Sequence, residues 1–209
     1  MQVQTDTLVL GIGNVLWADE GFGVRAVAAL NEGWSFPEGV TLMDGGTQGL
    51  YLLPLVQSAR RMLVFDAIDY GLEPGTLQVI RDDDIPSYLG IGKMSLHQSS
   101  FQEVLSLAKL SGKSPESAVL VGVQPKLLMD FGGSLTDLVR AKIPEALGIG
   151  REVLAGWGYP ATPRAPGDAI PLFDSSLALD AYESGRPSAD DACRLGDPRV
   201  LAMRGTQEA

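Results

Sequence analysis

The stretch Leu8 to Val24, LVLGIGNVLWADEGFGV, restricts the fold more than any other part of the chain. Leu8-Val9-Leu10 is an apolar run of the kind that forms a buried strand. Gly11-Ile12-Gly13-Asn14 then turns the backbone tightly, since glycine and asparagine tolerate left-handed conformations. Two acids, Asp19 and Glu20, follow, and a helical pattern begins at Gly21. The first strand of a parallel sheet is therefore expected to deliver a carboxylate to the start of the first helix.

The rest of the chain alternates in the same way. Val24 to Leu30 predicts a helix capped near Gly33, and Val40 to Met43 a second strand. Asp44 to Gly49 reads as a flexible turn, and Leu50 to Ala59 as a helix with Pro54 near its first turn. Arg61 to Phe65 is a third strand, closed by Asp66. Gly75 to Arg81 is a fourth. It is expected to be antiparallel, because too few residues separate it from Asp66 for a helical crossover. Asp82 to Asp84 is a solvated turn. Ser100 to Leu110 predicts a helix, Ser117 to Val123 a fifth strand, and Leu135 to Trp157 a long helix bent at Pro144. This is an α/β sandwich with a mostly parallel sheet. Its first three strands are expected in the order 2-1-3, with the switch point between strands 1 and 3. After Trp157 the pattern fades, and this last quarter holds six of the chain's 13 prolines. The expected division is a catalytic domain over 1–157 and an extended or partly disordered tail over 158–209. Ile170 to Tyr182 is the one stretch of the tail expected to dock. The tail as a whole is expected to be dispensable.

Composition excludes several functions. The formal charge is −10, with no clustered Lys and Arg, which argues against a nucleic-acid partner. The single cysteine, Cys193, allows neither an internal disulfide nor a CxxC metal pair. No apolar run reaches the roughly 18 residues of a membrane helix, so no membrane insertion is expected. MQVQTDTLVL lacks a charged leader region, which makes the cytoplasm the expected compartment.

The candidate chemistry lies in acids and one imidazole. Asp19 and Glu20 at a helix start have a plain reading as charges favoured by the helix dipole. Asp66 has a plain reading as a turn former. Yet strand ends at a switch point are where doubly wound proteins place their sites, and Glu20 after strand 1 and Asp66 after strand 3 would face one crevice. His97 is the only histidine, expected in a polar loop ahead of a helix. One imidazole and two carboxylates form a reasonable three-ligand set for Zn²⁺ or Ni²⁺. A dinucleotide site is the rival. Asp44 stands where a ribose-binding acid would, but Leu16 replaces the third glycine of GxGxxG, and two acids would repel the pyrophosphate. Asp44 is then an acid beside the ligands or a substrate contact. No GxSxG elbow, HExxH or Cys-His arrangement is present.

The pieces Gly11-Ile12-Gly13-Asn14, Asp19-Glu20 with Gly23-Val24, Asp44 to Gly49, Asp66-Ala67, Pro74-Gly75-Thr76, His97-Gln98 and Val121-Gly122-Val123 with Pro125 stand in a telling order. Together, over about Thr7 to Ala155, they resemble the endopeptidases that mature the large subunit of nickel-iron hydrogenases. The resemblance implies a three-layer α/β/α sandwich with a five-stranded mixed sheet. It also implies metal ligation by Glu20, Asp66 and His97. The implied partner is a nickel-iron hydrogenase large-subunit precursor, whose C-terminal extension is cut off after nickel insertion. Nickel would arrive with that substrate, and no permanently bound cofactor is expected. The metal would polarise the scissile carbonyl or activate a water. Alternatively it only docks the substrate, and Asp44 acts as general base. Gly45, Gly46 and Thr47 are expected to meet the substrate, the glycines by letting its backbone approach. A non-catalytic nickel-sensing chaperone on the same scaffold would use the same ligands.

Overall fold

A computed structural model describes residues 6–85 and 96–186, with the backbone alone over 96–100. The apolar runs become the middle of one sheet. β1 (Thr7–Ile12) is fully buried. It lies between β3 (Val40–Gly46) and β4 (Arg61–Ala67), parallel to both. β4 pairs in parallel with β6 (Ser117–Val123), which pairs antiparallel with β5 (Leu77–Arg81). The order β3-β1-β4-β6-β5 gives the expected 2-1-3 start and antiparallel fourth strand of this sheet.

Side chains alternate between the two faces, and each face has its own core. On one, Leu8, Leu10, Met62, Val64 and Leu120 pack under α2 (Leu53–Ser58) and α3 (Leu96–Leu110), which contribute Val56, Phe101 and Val104. On the other, Val9, Leu63, Phe65 and Val121 pack under α1 (Phe22–Gly33), α4 (Asp137–Arg140) and α5 (Ile143–Gly156). The result is a three-layer α/β/α sandwich with a mixed five-stranded sheet.

Several boundaries differ from the sequence reading. The strands run further: Asp44, Gly45 and Gly46 belong to β3, and Asp66 lies inside β4 rather than beyond it. His97 lies on α3, not in a loop ahead of a helix. The long C-terminal helix is two helices, α4 and α5. Pro144 falls in the first turn of α5, where the missing N–H breaks no helical bond. It marks a start, not a bend.

The segment expected as an extended tail is docked over 158–186. β7 (Thr162–Pro163) pairs antiparallel with β2 (Trp34–Ser35). Arg164 donates to the carbonyls of Asn31 and Trp34 at 3.0 and 3.2 Å, and Asn31 donates to the Ile170 carbonyl at 2.9 Å. Leu172 packs on the α1 side of the core. α6 (Leu179–Gly185) is held by Glu183, which pairs with Arg140 of α4. The anchors are polar side chains: Asn31 of α1 and Arg164 of the segment reach backbone carbonyls, and Arg140 of α4 reaches a carboxylate, none of which a search for apolar periodicity registers. Residues 187–209, Cys193 included, lie outside the described residues.

Candidate active site

The loop after β1 is folded back over the strand's end. At Gly13, φ is +131°, and an added Cβ would stand 1.9 Å from the Glu20 carbonyl oxygen; at Gly23 a Cβ would stand 2.1 Å from the Phe65 carbonyl oxygen. No side chain fits at either place. The backbone of Glu20 therefore rests on the end of β1, and α1 begins against β4 one residue before Asp66. The two acids come to the same end of the sheet by this close packing.

Asp66 is fully buried, and its Oδ1 accepts from the Ala67 N–H at 2.8 Å. Among the described residues no three His, Cys, Asp or Glu side chains are grouped to hold a metal ion. The His97 imidazole, third member of the expected set, lies outside the described residues.

Asp19 has a different task from its neighbour. It is wholly buried, and its carboxylate accepts four hydrogen bonds. They come from the N–H groups of Lys126 and Leu127 at 2.9 Å each, and from Thr136 through N–H at 2.7 Å and hydroxyl at 3.1 Å. Asp19 thus ties the loop after β1 to the loop after β6. The sequence showed two adjacent acids; only the partners from the distant loop separate their roles.

Asp44 sits where β3 goes out of register. Gly11 pairs with Asp44 but Ile12 with Gly46, so the strand bulges at Gly45. Such a bulge re-aims the neighbouring side chain. An added Cβ on Gly45 would stand 2.7 Å from Ile12 Cδ1. Its glycine is thus required by the core beneath it. Gly46, with φ +43°, takes the left-handed turn that ends the strand. Asp44, Gly46 and Thr47 line a crevice of about 300 Å³ beside the loop after β1, closed on one side by Val24 and Leu177. Of the three residues expected to meet substrate, Gly46 and Thr47 line this crevice and Gly45 packs away from it.

The Asp44 Oδ1 atom is buried without a hydrogen-bond partner. Burial pushes the Asp44 carboxyl above its ordinary range, while the Gly46 N–H and the Arg25 charge pull in the opposite direction. Arg25 was absent from the sequence reading. It lies on α1 with 5% exposure and donates through Nη1 to the Leu177 carbonyl. A single Arg within the apolar pattern of α1 gave no sign that it would be buried beside Asp44.

A half-buried acid in a crevice at the carboxyl ends of parallel strands stands where α/β proteins place their sites. The comparisons with known proteins give the family. The hydrogenase maturation protease (HycI) profile matches residues 24–152. The chain is 56% identical over 201 residues to the hydrogenase expression/formation protein HupM of Azotobacter chroococcum mcd 1, covering 96% of each chain. It is 39% identical over 158 residues to the hydrogenase 2 maturation protease of Escherichia coli K12, covering 75% of this chain and 95% of that one. The solved structure of the hydrogenase maturating endopeptidase HybD from E. coli matches with a TM-score of 0.72 and 38% identity, over 76% of this chain and 97% of that chain. The chain belongs to the hydrogenase maturation protease family and is a peptidase. Among the described residues, no helix is long and apolar enough to cross a membrane.

Proposed function

We propose that this peptidase removes the C-terminal extension of a nickel-iron hydrogenase large-subunit precursor after nickel insertion. The observation that carries the reading is that Asp44 and Asp66 stand at the carboxyl ends of β3 and β4, with the Glu20 backbone packed on the end of β1, in a chain of this family. Glu20, Asp66 and His97 are the ligand set for nickel that arrives in the substrate. Carboxylate and imidazole donors suit that ion, which would polarise the scissile carbonyl. Asp44 is the general base. Its raised pKa brings its proton affinity closer to neutrality, where a base works best. It takes a proton from the attacking water as the C–O bond forms, and returns it to the leaving amine as the C–N bond breaks. The Gly46 N–H and the Arg25 charge oppose the rise.

The test is mass spectrometry of the precursor after incubation with the protein. The nickel-loaded precursor is expected to lose its C-terminal peptide and the nickel-free one to stay whole. His97→Ala is expected to abolish cleavage with the melting temperature unchanged. An intact precursor in stable complex with the wild type would replace the protease reading with a chaperone. Full activity in His97→Ala would remove the ligand role.

A further inference from the structure

The crevice has a wall that the proposed reaction does not require. Leu177 lines it, and the Leu177 carbonyl accepts the hydrogen bond from Arg25 Nη1. Arg25 Nη2 is buried with no hydrogen-bond partner, as is Asp44 Oδ1. The Arg25 guanidinium carbon stands 5.5 Å from the centre of the Tyr182 ring, a cation–π contact. Tyr182 in turn donates to the Gly133 carbonyl at 3.1 Å, and Glu183 pairs with Arg140 and accepts from Ser134 at 2.5 Å. Arg25 is therefore set by the segment around α6, and that segment is pinned at its far end to α4.

A buried donor and a buried acceptor without partners are both costly. Asp44 lines the crevice, and Arg25 acts on it through Leu177. The guanidinium already holds a peptide oxygen, that of Leu177. Val24 and Leu177 give the crevice an aliphatic part of its lining.

Resting on the reading that the Asp44 crevice takes the precursor peptide, we propose that Asp174 to Gly185 is its substrate-selecting wall. Leu177 and Val24 seat an aliphatic side chain of an extended peptide. Arg25 holds Leu177 in that position through the Leu177 carbonyl. The alignment with HupM covers 201 residues and so includes this segment. The E. coli hydrogenase 2 protease is matched over 95% of its own length by 75% of this chain, leaving a quarter of this chain without counterpart there. That quarter is the size of the segment after Trp157.

The test is steady-state cleavage of the nickel-loaded precursor by the full chain, with KM and kcat read separately. Glu183→Ala releases α6 from Arg140 and Ser134 without touching the crevice. KM is expected to rise about tenfold with kcat nearly unchanged, the mark of lost substrate binding. The exchanged pair Arg140→Glu with Glu183→Arg is expected to restore KM. Arg25→Lys, which keeps the charge but loses the fork of donors, is expected to raise KM with the melting temperature held. An unchanged KM in both single variants overturns the proposal. A faster rate in Glu183→Ala also overturns it, since the segment would then obstruct the crevice. If the wild type does not cleave, the protease reading fails, and the wall is judged by precursor affinity. About tenfold weaker binding by Glu183→Ala supports it, while equal binding, or none by the wild type, overturns it.

Discussion

Asp44 concentrates the residue-scale argument. A carboxyl whose folded pKa is raised binds a proton more readily folded than unfolded. Its ionised form then works against the fold, and the penalty grows as pH rises from the ordinary value through the raised one. Asp44→Asn removes that penalty. The variant is expected to melt no lower than the wild type at neutral pH, with its relative advantage shrinking as the pH falls toward 3.8. Cleavage should behave in the opposite way. Loss of a general base lowers kcat by about 10²- to 10⁴-fold, and the wild-type rate should fall as acid protonates Asp44. Thermal melts and a pH–rate profile on the precursor check both arms. Unimpaired cleavage by the asparagine variant would end the base assignment. The sequence exposed Asp44 through its glycine-rich setting, because a motif lies in contiguous residues. It could not expose Arg25, whose burial depends on Leu177 and Tyr182, more than 150 residues away.

At the scale of elements, strands were read more faithfully than their ends. Apolar runs fix where β1, β4 and β6 lie, because burial on both faces demands them. The ends were misplaced where polar residues continue the pairing: Asp66 pairs with Gly122 and Asp44 with Gly11. Hydropathy stops at the last apolar residue, whereas the backbone ladder does not. The split between α4 and α5 has a similar origin. Thr136 caps α4 through its side chain and also donates to Asp19, so the loop chemistry around Asp19 decides where α4 begins. Asp19→Ala should therefore loosen two loops at once. Four donors lose their acceptor in a buried place, and unsatisfied buried groups cost about 1–3 kcal/mol each before water relieves some of them. A net loss of about 3–5 kcal/mol is expected, together with faster amide exchange at Lys126, Leu127 and Thr136. Denaturant melts and hydrogen exchange would reveal it. Protection unchanged at those three amides would show that Asp19 does not hold the loops.

For the whole molecule, the open issue is what the residues after Trp157 do. Proline-rich composition suggested a segment unable to offset its ordering entropy. The docked form has other sources of stability. Prolines lower the entropy lost on ordering, and the contacts are directed ones, from Arg164, Asn31, Arg25 and Arg140. Tyr159 adds a bond to Asp6 at 2.7 Å, joining this segment to the residue just before β1. The E. coli relative is matched over 95% of its length by 75% of this chain, so a quarter of this chain has no counterpart there. A chain ending at Trp157 should therefore fold but not match the full chain. The lost hydrogen bonds contribute about 0.5–1.5 kcal/mol each, and a chain of this size loses about 2–4 °C per kcal/mol. A melting temperature lower by at least about 5 °C follows from the low ends of these two ranges. Cleavage should suffer separately, because Arg25 loses the Leu177 carbonyl and the Tyr182 ring together. At a temperature where both forms are folded, the shortened chain should show a raised KM for the precursor. Circular dichroism melts beside cleavage kinetics distinguish the two effects. A lower melting temperature with an unchanged KM would make the segment a brace alone. If both values are unchanged, the docked contacts contribute to neither stability nor recognition.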